Sequence, residues 1–218
     1  MQAALDVQVA SELDFEAQKV DKIAREVLRD SYMTLSVKNL ELAEDFAALK
    51  SKLRASLEIK ASGSARQISL EGEGVGLIDA AFDGMMKAFA PEHISLTAIT
   101  IDDFSIGIKF RGTSGRKSDA YAIALLRMKN SENHEYAFTY RTPSTSQSSV
   151  GVVTEAFAFF VNSERSFVQL HMALEDAKKR NRSDLVERFS QQMAILVSAT
   201  SYKQVVEKMN QKAKGVAS

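Results

Sequence analysis

The residues best placed to do chemistry are three glycines. Gly72, Gly74 and Gly76 alternate in the string Gly72-Glu73-Gly74-Val75-Gly76-Leu77-Ile78-Asp79-Ala80. Directly after it Ala81, Phe82, Met85, Met86 and Phe89 recur at helical spacing, and Pro91 marks the stop. Glycines ahead of a helix leave backbone N–H groups open, and the positive end of the helix dipole favours an anion. A carboxylate or phosphate is the ligand this chemistry suits. The string is not a dinucleotide fingerprint, which needs G-x-G-x-x-G, a parallel crossover and a distal acid. Nor does a Gly-Lys-Ser/Thr follow to make a Walker loop. A plainer use of the same glycines is a tight strand-to-helix turn with Asp79 complementing the dipole.

Other candidates carry less. His93, His134 and His171 lie far apart, without metal-ligand spacing, so they read as surface or helix-end residues and no metal is expected. Asp102-Asp103 is an acidic pair within a strand pattern, where neighbours point to opposite faces; a bend or bulge suits it better than proton sharing. Lys178-Lys179-Arg180-x-Arg182 lacks interleaved aromatics and reads as a solvated helix end. Met85-Met86 and the Phe157, Phe159, Phe160 group read as core or subunit interface. No catalytic residue and no cofactor is expected.

The elements that must position the glycine loop are legible in the periodicity. Val20, Ile23, Ala24, Val27 and Leu28 mark a helix from about Leu13 to Arg29, with Ser11 and Asp14 as its cap. Met33 to Leu40 is β-like, and Glu41 to Lys50 reads as helical. Leu53, Ala55, Leu57 and Ile59 then alternate with polar residues as a half-buried strand. Gly63 supplies a turn, and Ile68 and Leu70 lie on the returning strand that enters the glycine loop.

The second half repeats the plan. Phe104, Ile106, Ile108 and Phe110 mark a long, bent strand, followed by a polar loop from Gly112 to Asp119. A hairpin of Tyr121 to Lys129 and Tyr136 to Arg141 follows, and a Ser/Thr-rich loop leads to a helix from about Val150 to Asn162. The order β-β-β-α thus occurs twice, at a period of about seventy-five residues, with Gly151 as the partner of Gly76 in one register. Beyond Glu164 the chain reads as helical, with a break around Asn181 to Asp184 and a capping start at Ser201 and Gln204.

The string G-E-G-x-G-x-[VI]-D-A after a hairpin, the repeated β-β-β-α order and the stretch E-A-F-x-x-F-V-N from Glu155 to Asn162 resemble one family. They are similar to the carboxy-terminal regulatory domain of 2-isopropylmalate, citramalate and homocitrate synthases, over roughly Leu35 to Phe167. Gly74, Gly76, Ile78, Asp79 and Ala80 match the family's G-N-G-P-V-D-A, while Val75 stands where Asn is usual and Leu77 where Pro is usual. The resemblance implies two β-β-β-α units in a dimeric module, with leucine or isoleucine bound near the interface beside the glycine loop. Carried over, the ligand-binding residues are Gly74, Val75, Gly76, Leu77, Ile78, Asp79, Ala80 and Gly151. The family's catalytic barrel needs about 250 residues, more than this chain holds.

Composition agrees with a packed globular protein: of 218 residues, 45% are hydrophobic and 26% charged, enough for one large domain or two small ones. Equal numbers of basic and acidic residues, 28 each, give no global field to attract nucleic acid or anionic lipid. Absence of cysteine excludes disulfides and thiolate chemistry. No apolar stretch reaches the roughly 20 residues of a membrane helix, and a cytoplasmic location is expected. The expected protein is α+β, a duplicated β-β-β-α module with antiparallel sheet and helices packed on one face. Residues 33-163 form the module (33-92 and 93-163), with helical extensions at 1-32 and 164-218. The expected function is a stand-alone, noncatalytic regulatory module, a homodimer that binds a small carboxylate or branched-chain amino acid, with an amino acid or a 2-oxo acid as effector. The alternative is a dimerisation or protein-interaction scaffold, with partners on its terminal helices and a decayed ligand site.

Overall fold

The computed structural model describes the backbone of residues 2–111, 119–200 and 204–208, and the side chains of 15–108, 120–200 and 204–208. Helix α1, Gln2–Leu28, buries Val20, Ile23, Ala24 and Leu28 on one face and leaves Lys19, Lys22, Arg25 and Glu26 exposed on the other. It opens well before Leu13, so Ser11 lies inside the helix and is not its cap.

Strands β1 (Thr34–Asp45), β2 (Lys50–Ala61) and β3 (Ser64–Gly74) form an antiparallel meander in that order. On β2, Leu53, Ala55, Leu57 and Ile59 are buried, and the residues between them face outward. Ser62 and Gly63 turn the chain between β2 and β3, both with positive φ (53° and 72°), the conformation that a two-residue hairpin of matching twist requires.

The helix expected over Glu41 to Lys50 is absent. Leu42, Phe46 and Leu49 have helical spacing, but Leu42 pairs with Leu53 and Ala43 with Lys52, so ladder pairing overrides the local pattern through Asp45. The turn is then held by the Asp45 carboxylate, which accepts the N–H groups of Ala47 (3.0 Å) and Ala48 (2.9 Å). No glycine or proline announces it.

Helix α2, Leu77–Phe89, lies on this sheet and ends before Pro91. A second meander follows: β4 (Thr100–Arg111), β5 (Asp119–Lys129) and β6 (Glu135–Thr142). The pairing register shifts between Ile101 and Asp103, an irregularity at the acidic pair where a bend or bulge was expected. Of the expected loop from Gly112 to Asp119, residues 112–118 lie outside the described residues, and Asp119 opens β5.

Helix α3 starts at Thr145, earlier than Val150, because the Ser144 hydroxyl caps it by accepting the Gln147 N–H (3.3 Å). What reads as a Ser/Thr-rich loop is therefore cap and first turn. The helix continues to Lys179, so the boundary expected at residue 163 falls inside one continuous element. The order β-β-β-α occurs twice, and the starts Thr100, Glu135 and Thr145 follow Thr34, Ser64 and Leu77 at an offset shorter than the expected period. Gly151 then sits inside α3 and not at its start.

The protein is α+β, with two three-stranded antiparallel sheets and helices. α3 is the centre of the packing. Its Phe157 and Phe160 are fully buried, with Leu126 and Met128 of β5 and Tyr136 of β6 in the same core. Burial pushes the Tyr136 phenol up to about 12, and its hydroxyl is 3.0 Å from the hydroxyl of Ser198, just beyond helix α4 (Ser183–Val197). The break expected near Asn181 lies there, between α3 and α4. Ser201, the expected cap of a last helix, lies outside the described residues. No described helix is long and apolar enough to cross a membrane.

Candidate functional site

The glycine string is a packing device. A Cβ on Gly72 would stand 1.9 Å from the Ala80 carbonyl oxygen and 2.6 Å from the Gly84 nitrogen, so β3 and α2 touch backbone to backbone. One on Gly74 would stand 2.4 Å from the Asp79 Cβ. The space beside these glycines is therefore filled by the helix itself. Gly76 differs: its φ is −151°, ordinary extended backbone, and a Cβ there would meet nothing within 4 Å. Its carbonyl accepts the Ala80 N–H at 3.0 Å, and the Glu73 N–H is taken by the Asp83 carboxylate at 2.9 Å. Val75 points to solvent. None of Gly74, Val75, Gly76, Leu77, Ile78, Asp79 and Ala80 lines the two cavities described below.

Gly151, the eighth expected site residue, does line one. A cleft of about 350 Å³ lies between the two sheets, walled by consecutive residues of β1 (Thr34 to Val37) and of β6 (Ala137 to Tyr140). Among the described residues β1 pairs only with β2 and β6 only with β5, so each presents a free edge of its sheet. The floor is the α3 face of Gly151, Thr154, Ala158 and Phe159, and α1 contributes Ala17, Asp21 and Arg25. Gly151 is needed for its size, since a Cβ would stand 2.5 Å from two carbons of the Tyr140 ring.

Two polar devices shape the entrance. Asn162, fully buried, donates from Nδ2 to the Met33 carbonyl (2.8 Å) and accepts the Met33 N–H at Oδ1 (2.9 Å), which fixes where β1 leaves α1. Asp21 accepts from Arg25 Nε at 2.7 Å and from the Tyr32 hydroxyl, while the Arg25 guanidinium lies over the Tyr32 ring at 4.1 Å. Burial, then the Asp21 contact, pushes the Tyr32 phenol well above its ordinary range, and the Asp21 hydrogen bond raises Arg25, so both keep their protons. Glu155, exposed at the rim, adds a second carboxylate that acts on Arg25. The cleft therefore offers strand-edge donors and acceptors, charges of both signs and an apolar floor.

Sequence reasoning missed this site because its walls lie a hundred residues apart. The one local signal was the pattern E-A-F-x-x-F-V-N, whose Glu155 and Asn162 both serve the cleft. Of the histidines that read as surface or helix-end residues, His93 is largely buried beside Glu164 and His171 stacks on Phe167. Among the described residues no three His, Asp or Glu side chains gather as metal ligands. The sequence matches no model of a known protein family and no curated protein.

Proposed function

We propose that the chain is a noncatalytic regulatory module that binds a small branched-chain amino acid, such as leucine or isoleucine, in the cleft between β1 and β6. The proposal keeps the likeness to the regulatory domain of 2-isopropylmalate synthase, with two units descended from one by duplication, a homodimer and a cytoplasmic setting. It moves the ligand from the glycine loop to the seam between the units. The observation that carries it is a cleft walled by two free strand edges over an apolar floor.

A free amino acid brings one cationic donor and one anionic acceptor on a single carbon. Strand edges present N–H and C=O groups in alternation, and Glu155 and Arg25 add one charge of each sign. An aliphatic side chain would lie against Ala158 and Phe159. The volume is at the small end for ligand pockets, which suits a single amino acid. Occupancy would tie one β-β-β-α unit to the other, a direct route from binding to shape.

Isothermal titration tests this. Leucine or isoleucine should bind the wild type at one site per chain, and Ala158→Phe, which fills the floor, should weaken binding about tenfold or more, a loss of about 1.4 kcal/mol. Unchanged affinity in folded Ala158→Phe would move the ligand out of the cleft. The scaffold reading has its own support. Phe46, Leu49 and Val75 are exposed at one end of the first sheet (83%, 68% and 70%), and Leu49 holds a positive φ of 51° that a leucine rarely adopts. On that reading no amino acid gives heat, while light scattering gives the mass of a dimer.

A further inference from the structure

We propose a second ligand site, for a small amphiphilic monocarboxylate, in the cavity between α3 and the segment that follows α2. It does not rest on the cleft. This cavity, about 480 Å³, is lined by Arg165, Glu164, Val168 and Met172 of α3, by His93, and by Lys208 near the end of the described chain.

Its charges are left out of balance. Arg165 is half-buried, and its guanidinium makes one described hydrogen bond, from Nη1 to Asn162 Oδ1 at 3.3 Å. Among the described residues no carboxylate lies within ion-pair distance of it, and burial alone pulls its pKa down. A guanidinium does not respond by losing its proton, so a half-desolvated one gains from an anion.

The nearest acid is already engaged. Glu164 Oε2 accepts the Ser95 N–H at 2.7 Å, and Oε1 stands 3.6 Å from His93 Nδ1. Burial would raise its pKa, but the His93 and Ser95 contacts outweigh it and hold the carboxyl below its ordinary value. Glu164 therefore stays charged and inward, without neutralising Arg165. Lys208 is likewise held by carbonyls and not by an acid: Nζ donates to Glu92 (3.1 Å) and Pro91 (3.4 Å).

Two cations with no acidic partner among the described residues thus border a cavity whose other wall is apolar. Val168 and Met172 stand beside Leu28 and Val205, and Met172 is 63% exposed. A planar carboxylate matches the fork of Arg165, and an aliphatic body matches the wall. Glu92 and Glu164 also border the cavity, so a single negative charge is favoured over the larger charge of phosphate.

Isovalerate is the probe, titrated calorimetrically into the full chain at constant ionic strength, with inorganic phosphate in parallel. It should bind the wild type and Ala158→Phe alike, which separates this site from the cleft. Arg165→Gln should weaken binding about tenfold. Lys208→Gln should weaken it several-fold, and this variant decides the matter should Arg165→Gln not fold by circular dichroism. No saturable heat with wild type, equal affinity in a folded Arg165→Gln, or saturation by phosphate but not isovalerate would each overturn the proposal. Loss of isovalerate binding in folded Ala158→Phe would assign it to the cleft and overturn the proposal as well.

Discussion

Gly72→Ala is expected to cost about 3 kcal/mol or more, and Gly76→Ala no more than about 0.5 kcal/mol, although both alter one glycine string. The added Cβ at Gly72 would overlap a carbonyl oxygen at 1.9 Å and a backbone nitrogen at 2.6 Å. Neither can rotate away as a side-chain tip can, so β3 and α2 must separate and the contacts beneath them, Ala80 and Met85 included, loosen. For a chain of this size the melting temperature should fall by about 6–12 °C. At Gly76 the backbone is extended and the space is open, and alanine forfeits only a few tenths of a kcal/mol as a poorer residue at the helix start. Paired urea denaturation curves measure both. Equal effects at the two positions would mean that the glycines serve something other than close packing.

Asn162→Leu should be the most damaging change away from the glycines. The side chain is fully buried and answers both polar groups of Met33, where the chain passes from α1 into β1. Leucine matches the size of asparagine but leaves a donor and an acceptor unpaired, at about 1–3 kcal/mol each. A loss of about 2–6 kcal/mol is expected from denaturation. Because Met33 and Thr34 border the cleft, any residual amino-acid binding should weaken as well. A loss below about 1 kcal/mol would show that water takes the place of the amide.

Much of the fold was legible because it is written in short-range periodicity. The alternation from Leu53 to Ile59, the hairpin at Gly63 and the helix closed by Pro91 each depend on residues adjacent in sequence. Glu41 to Lys50 misled for the opposite reason: its local pattern is helical, and only the partner strand makes it extended. The start of α3 was displaced because Ser, Thr and Pro signal loop and helix cap alike, and the Ser144 hydroxyl decides between them. Gly72 and Gly74 announced a close approach, and the approaching group is the backbone of α2, whereas Gly76 meets nothing within 4 Å. Of the eight expected site residues only Gly151 borders the cleft, since the cleft is assembled from α1, β1, β6 and α3 and no local pattern encodes their placement.

Amide hydrogen exchange with and without saturating isoleucine bears most directly on the central claim, that the ligand lies between the free edges of the two sheets. Strand-edge N–H groups that donate to a bound molecule exchange more slowly, in proportion to occupancy. The expected result is slowed exchange in both Thr34 to Val37 and Ala137 to Tyr140, with Gly74 to Ala80 unchanged. Protection confined to Gly74 to Ala80 would return the site to the glycine loop and contradict the account.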